Sequence, residues 1–293
     1  MTIYNLGSIN IDHFYRLPHL PAPGETLAAT DYTVGLGGKG ANQSAAAAKA
    51  GARVVHIGAV GPEGGWTVAR LQGWGVDTGG IARIDVPTGH AIINVEATGE
   101  NTIVLFPGAN RALPFDAVKR ALAPAKPGDL LLLQNETAHQ VEAAALAREK
   151  GLHVMYSAAP FDVEAVRAVL KYVSVLAVNA VEADQLCVAL GVTLEQISVP
   201  EILVTRGSAG AEWRGDGKII KAPPIKVDAV DTTGAGDTFA GYFAAARDAG
   251  MSHSKALNLA ATAAALKVTR RGTADAIPSR EEVTRFSNKQ RQP

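Results

Sequence analysis

Asp231-Thr232-Thr233-Gly234-Ala235-Gly236-Asp237-Thr238-Phe239 is the stretch around which this chain is organised. Turn formers and two glycines lead into Asp237. A helical pattern follows, with Phe239, Ala240, Phe243, Ala244 and Ala246 on one face and Gly250 as a stop. A glycine-rich loop that runs into a helix start leaves backbone N–H groups unpaired and aimed outward. The helix dipole adds partial positive charge there, so the start suits an anion, above all a phosphate. A carboxylate in the same first turn has a second use: beside a bound phosphate, Asp237 is placed to take a proton from an attacking hydroxyl. The bland alternative is a helix with a favourable Asp in its first turn.

Outward from that stretch, bulk properties narrow the field. The chain has 293 residues, 47% hydrophobic and 19% charged, within reach of one large α/β domain. Lys plus Arg equals Asp plus Glu at 28 each, so the charge excess of a nucleic-acid or membrane-surface binder is missing. One cysteine, Cys187, makes no internal disulfide, and no Cys/His spacing resembles a zinc site. Residues 1–5 carry no signal-peptide pattern and no apolar run is long enough for a membrane span, so a cytoplasmic protein is expected.

Alternation of strand-like and helical segments predicts a doubly wound, mostly parallel sheet with helices on both faces. Strands are read at 2–6, 53–60, 129–134, 153–157, 173–178 and 202–205, with a hairpin edge at 212–217. Helices are read after Gln43, at 66–74, 141–150 and 163–171, after Asn179, from Asp237, and over 254–268. Two regions break the rhythm. Pro18, Pro21, Pro23 and Gly24 exclude a helix, and strand-like Thr30 to Val34 follows. His90 to Glu96 and Thr102 to Phe106 read as strands joined by the turn Thr98-Gly99-Glu100-Asn101. These regions, about 13–35 and 88–107, are expected to form a small β-sheet lid inserted in a single domain spanning 1–293.

Asn10 and Asp12 follow the first strand, where open α/β sheets place ligands, and point the same way if the backbone stays extended. Such a pair suits a polyhydroxy compound; the plain alternative is a turn. Gly35-Leu36-Gly37-Gly38-Lys39-Gly40 matches a dinucleotide fingerprint formally, but a Pro-rich excursion separates it from the first strand. It is no P-loop either, because Gly40 stands where Ser or Thr is required. Its glycines let backbone approach a ligand closely, and Lys39 and Asn42 can donate to hydroxyls. Asn179 and Glu182 have the spacing of an N-cap with its capping-box partner.

The motif order resembles the ribokinase-like (PfkB-type) carbohydrate kinases nearly end to end. It runs through Gly-Ser-Ile-Asn-Ile-Asp at 7–12, Pro-Gly-Glu-Thr at 23–26, Gly-Gly-Lys-Gly-Ala-Asn-Gln at 37–43 and Gly-Ala-Val-Gly at 58–61. It continues through Gly-Glu-Asn at 99–101, Pro-Gly-Ala-Asn at 107–110, Asn-x-x-Glu at 179–182, the 231–239 stretch and Val-Thr-Arg-Arg-Gly at 268–272. The resemblance implies an ATP-dependent kinase acting on the primary hydroxyl of a furanose, ribose first, with another sugar, a nucleoside or a keto-deoxy acid as alternatives. By resemblance, Asn10, Asp12, Gly38, Lys39, Asn42 and Glu136 bind sugar hydroxyls, and Asp237 is the base. Gly234, Ala235 and Gly236 form the anion hole. Asn179, Thr205, Gly207 and Gly236 meet the nucleotide, and Glu182 reaches its Mg²⁺ through water. Asp231 and Thr233, with backbone near Lys267, Arg270, Gly272 and Ala276, are implied as the site of an activating monovalent cation, usually K⁺. A homodimer paired through the lid is also implied. Ser157-Ala158-Ala159-Pro160, Gly61-Pro62-Glu63 and Ala261 depart from the usual pattern. A non-catalytic sugar-responsive binding protein and an NAD-dependent dehydrogenase are the rival classes.

Overall fold

The computed structural model describes residues 1–290 apart from 97 and 99, so Gly99 of the expected 98–101 turn lies outside the described residues. The strands in chain order are β1 (Ile3–Leu6), β2 (Asn10–Leu17), β3 (Asp31–Gly37), β4 (Val54–Val60), β5 (Asp77–Arg83), β6 (Gly89–Glu96) and β7 (Asn101–Phe106). They continue with β8 (Leu130–Gln134), β9 (His153–Ser157), β10 (Val175–Asn179), β11 (Glu201–Thr205), β12 (Ala211–Gly215) and β13 (Lys218–Ala222). The helices are α1 (Lys39–Lys49), α2 (Gly65–Gly73), α3 (Ala109–Ala112), α4 (Phe115–Leu122) and α5 (Gln140–Glu149). Then come α6 (Val163–Leu170), α7 (Ala180–Leu190), α8 (Ala235–Asp248), α9 (His253–Lys267) and α10 (Arg280–Gln290).

Nine strands form the main sheet in the order β13-β12-β11-β10-β9-β8-β1-β4-β5. Pairing is parallel from β5 to β11, and the β12–β13 hairpin closes one edge antiparallel. The strands are buried on both faces, so their side chains alternate between two cores. In β8, Leu130 and Leu132 enter the core that also holds α1, α8 and α9 residues, while Leu131 and Leu133 enter the core shared with α4 to α7. This is the doubly wound architecture that the βα alternation predicts.

The chain leaves β1 toward β4 and β5, then returns to lay β8 on the other side of β1. The carboxyl ends of β1 and β8 therefore border a reversal of winding, the place where open α/β sheets leave a crevice.

The second sheet has the order β3-β2-β6-β7 and stands apart from the first. Its β2–β3 part, residues 10–37, begins earlier and ends later than the 13–35 of the sequence reading. Asn10 and Asp12 belong to its first strand, paired with Gly37 and Gly35 of β3, so the extended backbone does aim both side chains the same way. Residues 35–37, read as loop, are the end of β3. Gly37 is required there because a Cβ would fall 1.9 Å from Asp12 Oδ2. Gly38 follows at φ 89°, a left-handed turn that starts α1.

Helix α1 is nearly all Ala, Gly and small polar residues, and it crosses α8 at Gly241, where a Cβ would meet Ala46 Cβ and Gln43 O at 2.6 Å. That close approach brings the first turn of α1 against the first turn of α8. No helix among the described residues is long and apolar enough to cross a membrane.

Candidate active site

Gly234 sits at φ 73° and turns the chain into α8, a conformation that costs a residue with a Cβ about 1–2 kcal/mol. Asp237 lies in the first turn of that helix and is 8% exposed. Its carboxylate accepts Asn42 Nδ2 at 2.9 Å on Oδ2 and Gln43 Nε2 at 3.0 Å on Oδ1. Thus the first turn of α1 clamps the carboxylate from one side. On its other side Gly234, Ala235, Gly236 and Asp237 line a cleft of about 200 Å³ together with Lys39 and Glu182.

The remaining polar residues gather at the foot of the small sheet, where Asn10, Asp12 and Asn42 are buried. Ser8, just past β1, donates its hydroxyl to Glu136 Oε2, just past β8, and the Lys39 amide donates to the same oxygen at 3.1 Å. This pairing spans the winding reversal. Burial pushes the Asp12 carboxyl up to about 7, and the negative charges of Glu136 and Asp237 add to the effect. Burial likewise raises Glu136, opposed by the Lys39 ammonium and the Ser8 bond. Lys39 is held above its usual range, first by the Asp237 charge, against the opposing effect of burial, and then by Glu136 and Glu182. One ammonium thus faces several carboxylates in a largely dry space.

Two contributors escape the sequence reading. Asn110 accepts the Ile9 amide at 2.9 Å and donates to Asn10 Oδ1 at 2.8 Å, fixing which Asn10 atom stays free. Gln43, besides holding Asp237, accepts Gln134 Nε2 at 2.8 Å; Gln134 also donates to Asn5, and Asn5 to Ser44. Ser44 is bonded to His56, which burial lowers to about 4 and so keeps neutral. Asn110 and Gln43 stand in motifs already quoted at 107–110 and 37–43. Their positions beside the chemistry emerge only from packing. Asn42 Oδ1 is buried with no protein partner among the described residues, an acceptor open to a ligand hydroxyl.

Beyond Gly236 a second cleft of about 420 Å³ shares Thr205, Ala235, Gly236 and Phe239 with the first. Gly207, Pro223, Ala261, Ala264 and Val268 make it an apolar slot open to solvent. Such a slot suits a flat aromatic group whose polar end reaches the helix start. Asn179 and Glu182 do form the capping box, each accepting the other's amide at 2.8–2.9 Å. Burial raises the Glu182 carboxyl, opposed by the Asn179 amide and by Lys39. Among the described residues no three His, Cys, Asp or Glu side chains form a metal cage. Glu182 at the cleft, without a cage of further ligands, fits Mg²⁺ carried on phosphates with its own water shell.

The residues implied for a K⁺ ion do not fit it. Asp231 Oδ1 and Oδ2 accept the Thr233 and Gly272 amides at 2.9 Å, so the loop is gathered as expected. Lys267, 0% exposed, instead sends its ammonium in, 3.0 Å from Asp231 O and 4.0 Å from Asp231 Oδ1. A second cation about 4 Å from that ammonium meets a repulsion of about 4 kcal/mol at an effective dielectric near 20. The Arg270 side chain points elsewhere, paired with Glu282 at 2.7 Å.

With this geometry in place, known proteins are informative. The model of the "pfkB family carbohydrate kinase" group matches residues 2–280. The chain belongs to the pfkB carbohydrate kinase family. A ribokinase of Haemophilus influenzae is 35% identical over 97% of this chain and 98% of its own length. The crystal structure of a Thermotoga maritima ribokinase superposes with a TM-score of 0.87 at 32% identity, covering 98% and 99% of the two chains. An Arabidopsis thaliana ribokinase complexed with ribose and ATP gives 0.82 at 30% identity over 97% of both. Membership in this kinase family excludes the dehydrogenase reading of the 35–40 glycines, whose first three residues belong to β3.

Proposed function

We propose that the protein transfers the γ-phosphoryl group of ATP to the primary hydroxyl of D-ribose, giving D-ribose 5-phosphate and ADP. The observation that carries this reading is Asp237: a carboxylate clamped by Asn42 and Gln43, open on its far side to the helix start formed by Gly234, Ala235 and Gly236. The likeness to an Arabidopsis ribokinase complexed with ribose and ATP supports the substrate pair.

The sugar lies against Asn10, Asp12, Gly38, Lys39, Asn42 and Glu136. Carboxylates accept its hydroxyls, Lys39 donates, and the free Asn42 Oδ1 accepts one more. Hydroxyl donors favour the ionised form of Asp12, so sugar binding draws its pKa down from about 7. Asp237 orients the primary hydroxyl and takes its proton as the oxygen attacks. Backbone amides of Gly234, Gly236 and Asp237 receive the negative charge that spreads over the transferred group, while the Ala235 amide, which donates to Thr232 O at 3.2 Å, braces the turn. Mg²⁺, met through water by Glu182, neutralises phosphate charge when bound. The nucleotide base occupies the slot beside Thr205, Gly207 and Ala261, while Asn179 keeps Glu182 in place.

The small sheet acts as a lid that excludes water from the reaction. Its outer strand β7 exposes Ile103, Val104, Leu105 and Phe106, and β3 exposes Tyr32 and Val34. So much apolar surface on one sheet suits pairing with the lid of a second copy. Sedimentation of wild type and of a Val104→Asp, Phe106→Asp double variant tests this: a dimer that becomes a monomer is expected, and a wild-type monomer at all concentrations refutes it.

The activity is tested by ADP release with D-ribose, 2-deoxy-D-ribose, D-fructose, a keto-deoxy sugar acid and nucleosides. The highest kcat/KM is expected with D-ribose. Preference for another member reassigns the substrate, and absence of turnover with all of them favours a sugar-binding protein on a kinase scaffold.

A further inference from the structure

Lys267 is the last residue of α9, where a lysine ordinarily extends into water and complements the helix dipole. Here its side chain is fully buried and aimed back at the peptide that precedes the phosphoryl cradle. Its ammonium donates to Asp231 O at 3.0 Å and stands 4.0 Å from Asp231 Oδ1. The same aspartate holds the Thr233 and Gly272 amides, and Val268 O accepts the amides of Val230 and Asp231. Two segments, 230–233 and 267–272, are thus stitched together around one positive charge. Thr273 then donates to Leu36 O and ties the same turn to the root of the small sheet. Burial draws the ammonium's pKa down, while the charges of Asp231 and Asp237 oppose the change. Arg270, another cation of this turn, is engaged by Glu282 instead.

We propose that the Lys267 ammonium is the resident cation of this loop, standing in for the K⁺ that the family resemblance implies, so that this protein needs no monovalent metal ion. A tethered ammonium carries the same charge as K⁺, donates to Asp231, a residue the resemblance implies as a cation ligand, and cannot be diluted away. It acts on Asp237 and the helix start through the 231–233 peptide and is a positioning residue, not one that touches substrate. This inference rests on the kinase reading, and the test separates the two.

Initial rates with D-ribose and MgATP are measured in buffers whose only other cation is tetramethylammonium, then with added KCl. Wild-type rates are expected to agree within about twofold, whereas a rise of about tenfold or more with K⁺ overturns the proposal. Lys267→Ala is expected to lose about tenfold or more in kcat in tetramethylammonium and to recover most of it in KCl. A merely structural lysine would give a variant that K⁺ does not restore, which also overturns the proposal. Melting temperature in the two salts supplies a readout without turnover. Wild type is expected to show no K⁺-specific rise and Lys267→Ala to show one; a K⁺-specific rise in wild type counts against the idea. If Lys267→Ala does not fold, both wild-type arms still decide. Absence of ADP from any sugar in any salt removes the kinase reading, and the melting comparison then judges Lys267 by itself.

Discussion

The two sides of Asp237 are built in opposite ways. On the proposed sugar side, polar side chains distant in sequence are fastened to one another: Ser8 to Glu136, Asn110 to Asn10, Asn42 and Gln43 to Asp237. On the proposed nucleotide side, the wall is apolar and open, made of Ala261, Ala264, Val268 and loop residues such as Gly207. Fixed donors and acceptors discriminate one polyol from another, because a wrong partner leaves a buried group unpaired. A slot lined by small apolar residues supplies area and leaves direction to the helix start. Substitutions on the first side should therefore be costly and specific, and those on the second mild.

The largest effect expected is that of Asp237→Asn. It removes the proposed base while keeping the shape, so kcat should fall by roughly a thousandfold or more with D-ribose binding still measurable by calorimetry. Near-normal turnover would break the comparison at its centre. Next is Gln43→Leu, which frees Asp237 Oδ1 and leaves Gln134 without one of its acceptors. A loss of about 10- to 100-fold in kcat is expected with a smaller change in KM for D-ribose, read from steady-state kinetics. Equal changes in both would show that Gln43 serves binding instead.

Asp12→Asn sharpens the comparison through pH. The carboxyl's folded pKa is raised to about 7 from an unfolded 3.8, so the folded state holds a proton the unfolded state has released. Stability of the free protein therefore falls as pH climbs through that window, and the penalty is complete above it. The variant has no such penalty. Its melting temperature relative to wild type should rise from pH 5 to pH 8, by a few degrees, while D-ribose affinity drops. A pH-independent difference would mean that Asp12 is not strained in the free protein. The smallest effect is expected from Ala261→Asn on the slot side, a change of less than about threefold in the KM for ATP.

The main sheet was legible in the sequence because parallel strands buried on both faces read as apolar runs, as Leu130–Gln134 does. β5 escaped that reading: Asp77-Thr-Gly-Gly-Ile-Ala-Arg is an edge strand with two glycines and little hydrophobic signal. α3 and α4 were missed where Pro114 interrupts two short helices, and α10 because its polar composition buries little beyond Val283. Within the site, Asn179 and Glu182 were readable from local spacing. Gln43 and Asn110 were not, since their partners lie 194 and 100 residues away. Lys267 is the sharpest instance: only tertiary packing distinguishes a helix-end lysine in solvent from one turned inward.

Asn10 and Asp12, proposed to meet the sugar, are also the first rungs of the β2 ladder with β3 and β6. The cover and the sugar-reading groups are consequently one length of backbone. If the small sheet closes as proposed, both side chains move with it, and occupancy and shutter angle become a single coordinate. A sugar too short to span Asn10 and Asp12 would leave the flap without its latch, and selection among sugars would then operate through how long the flap stays shut as well as through how tightly each sugar is held.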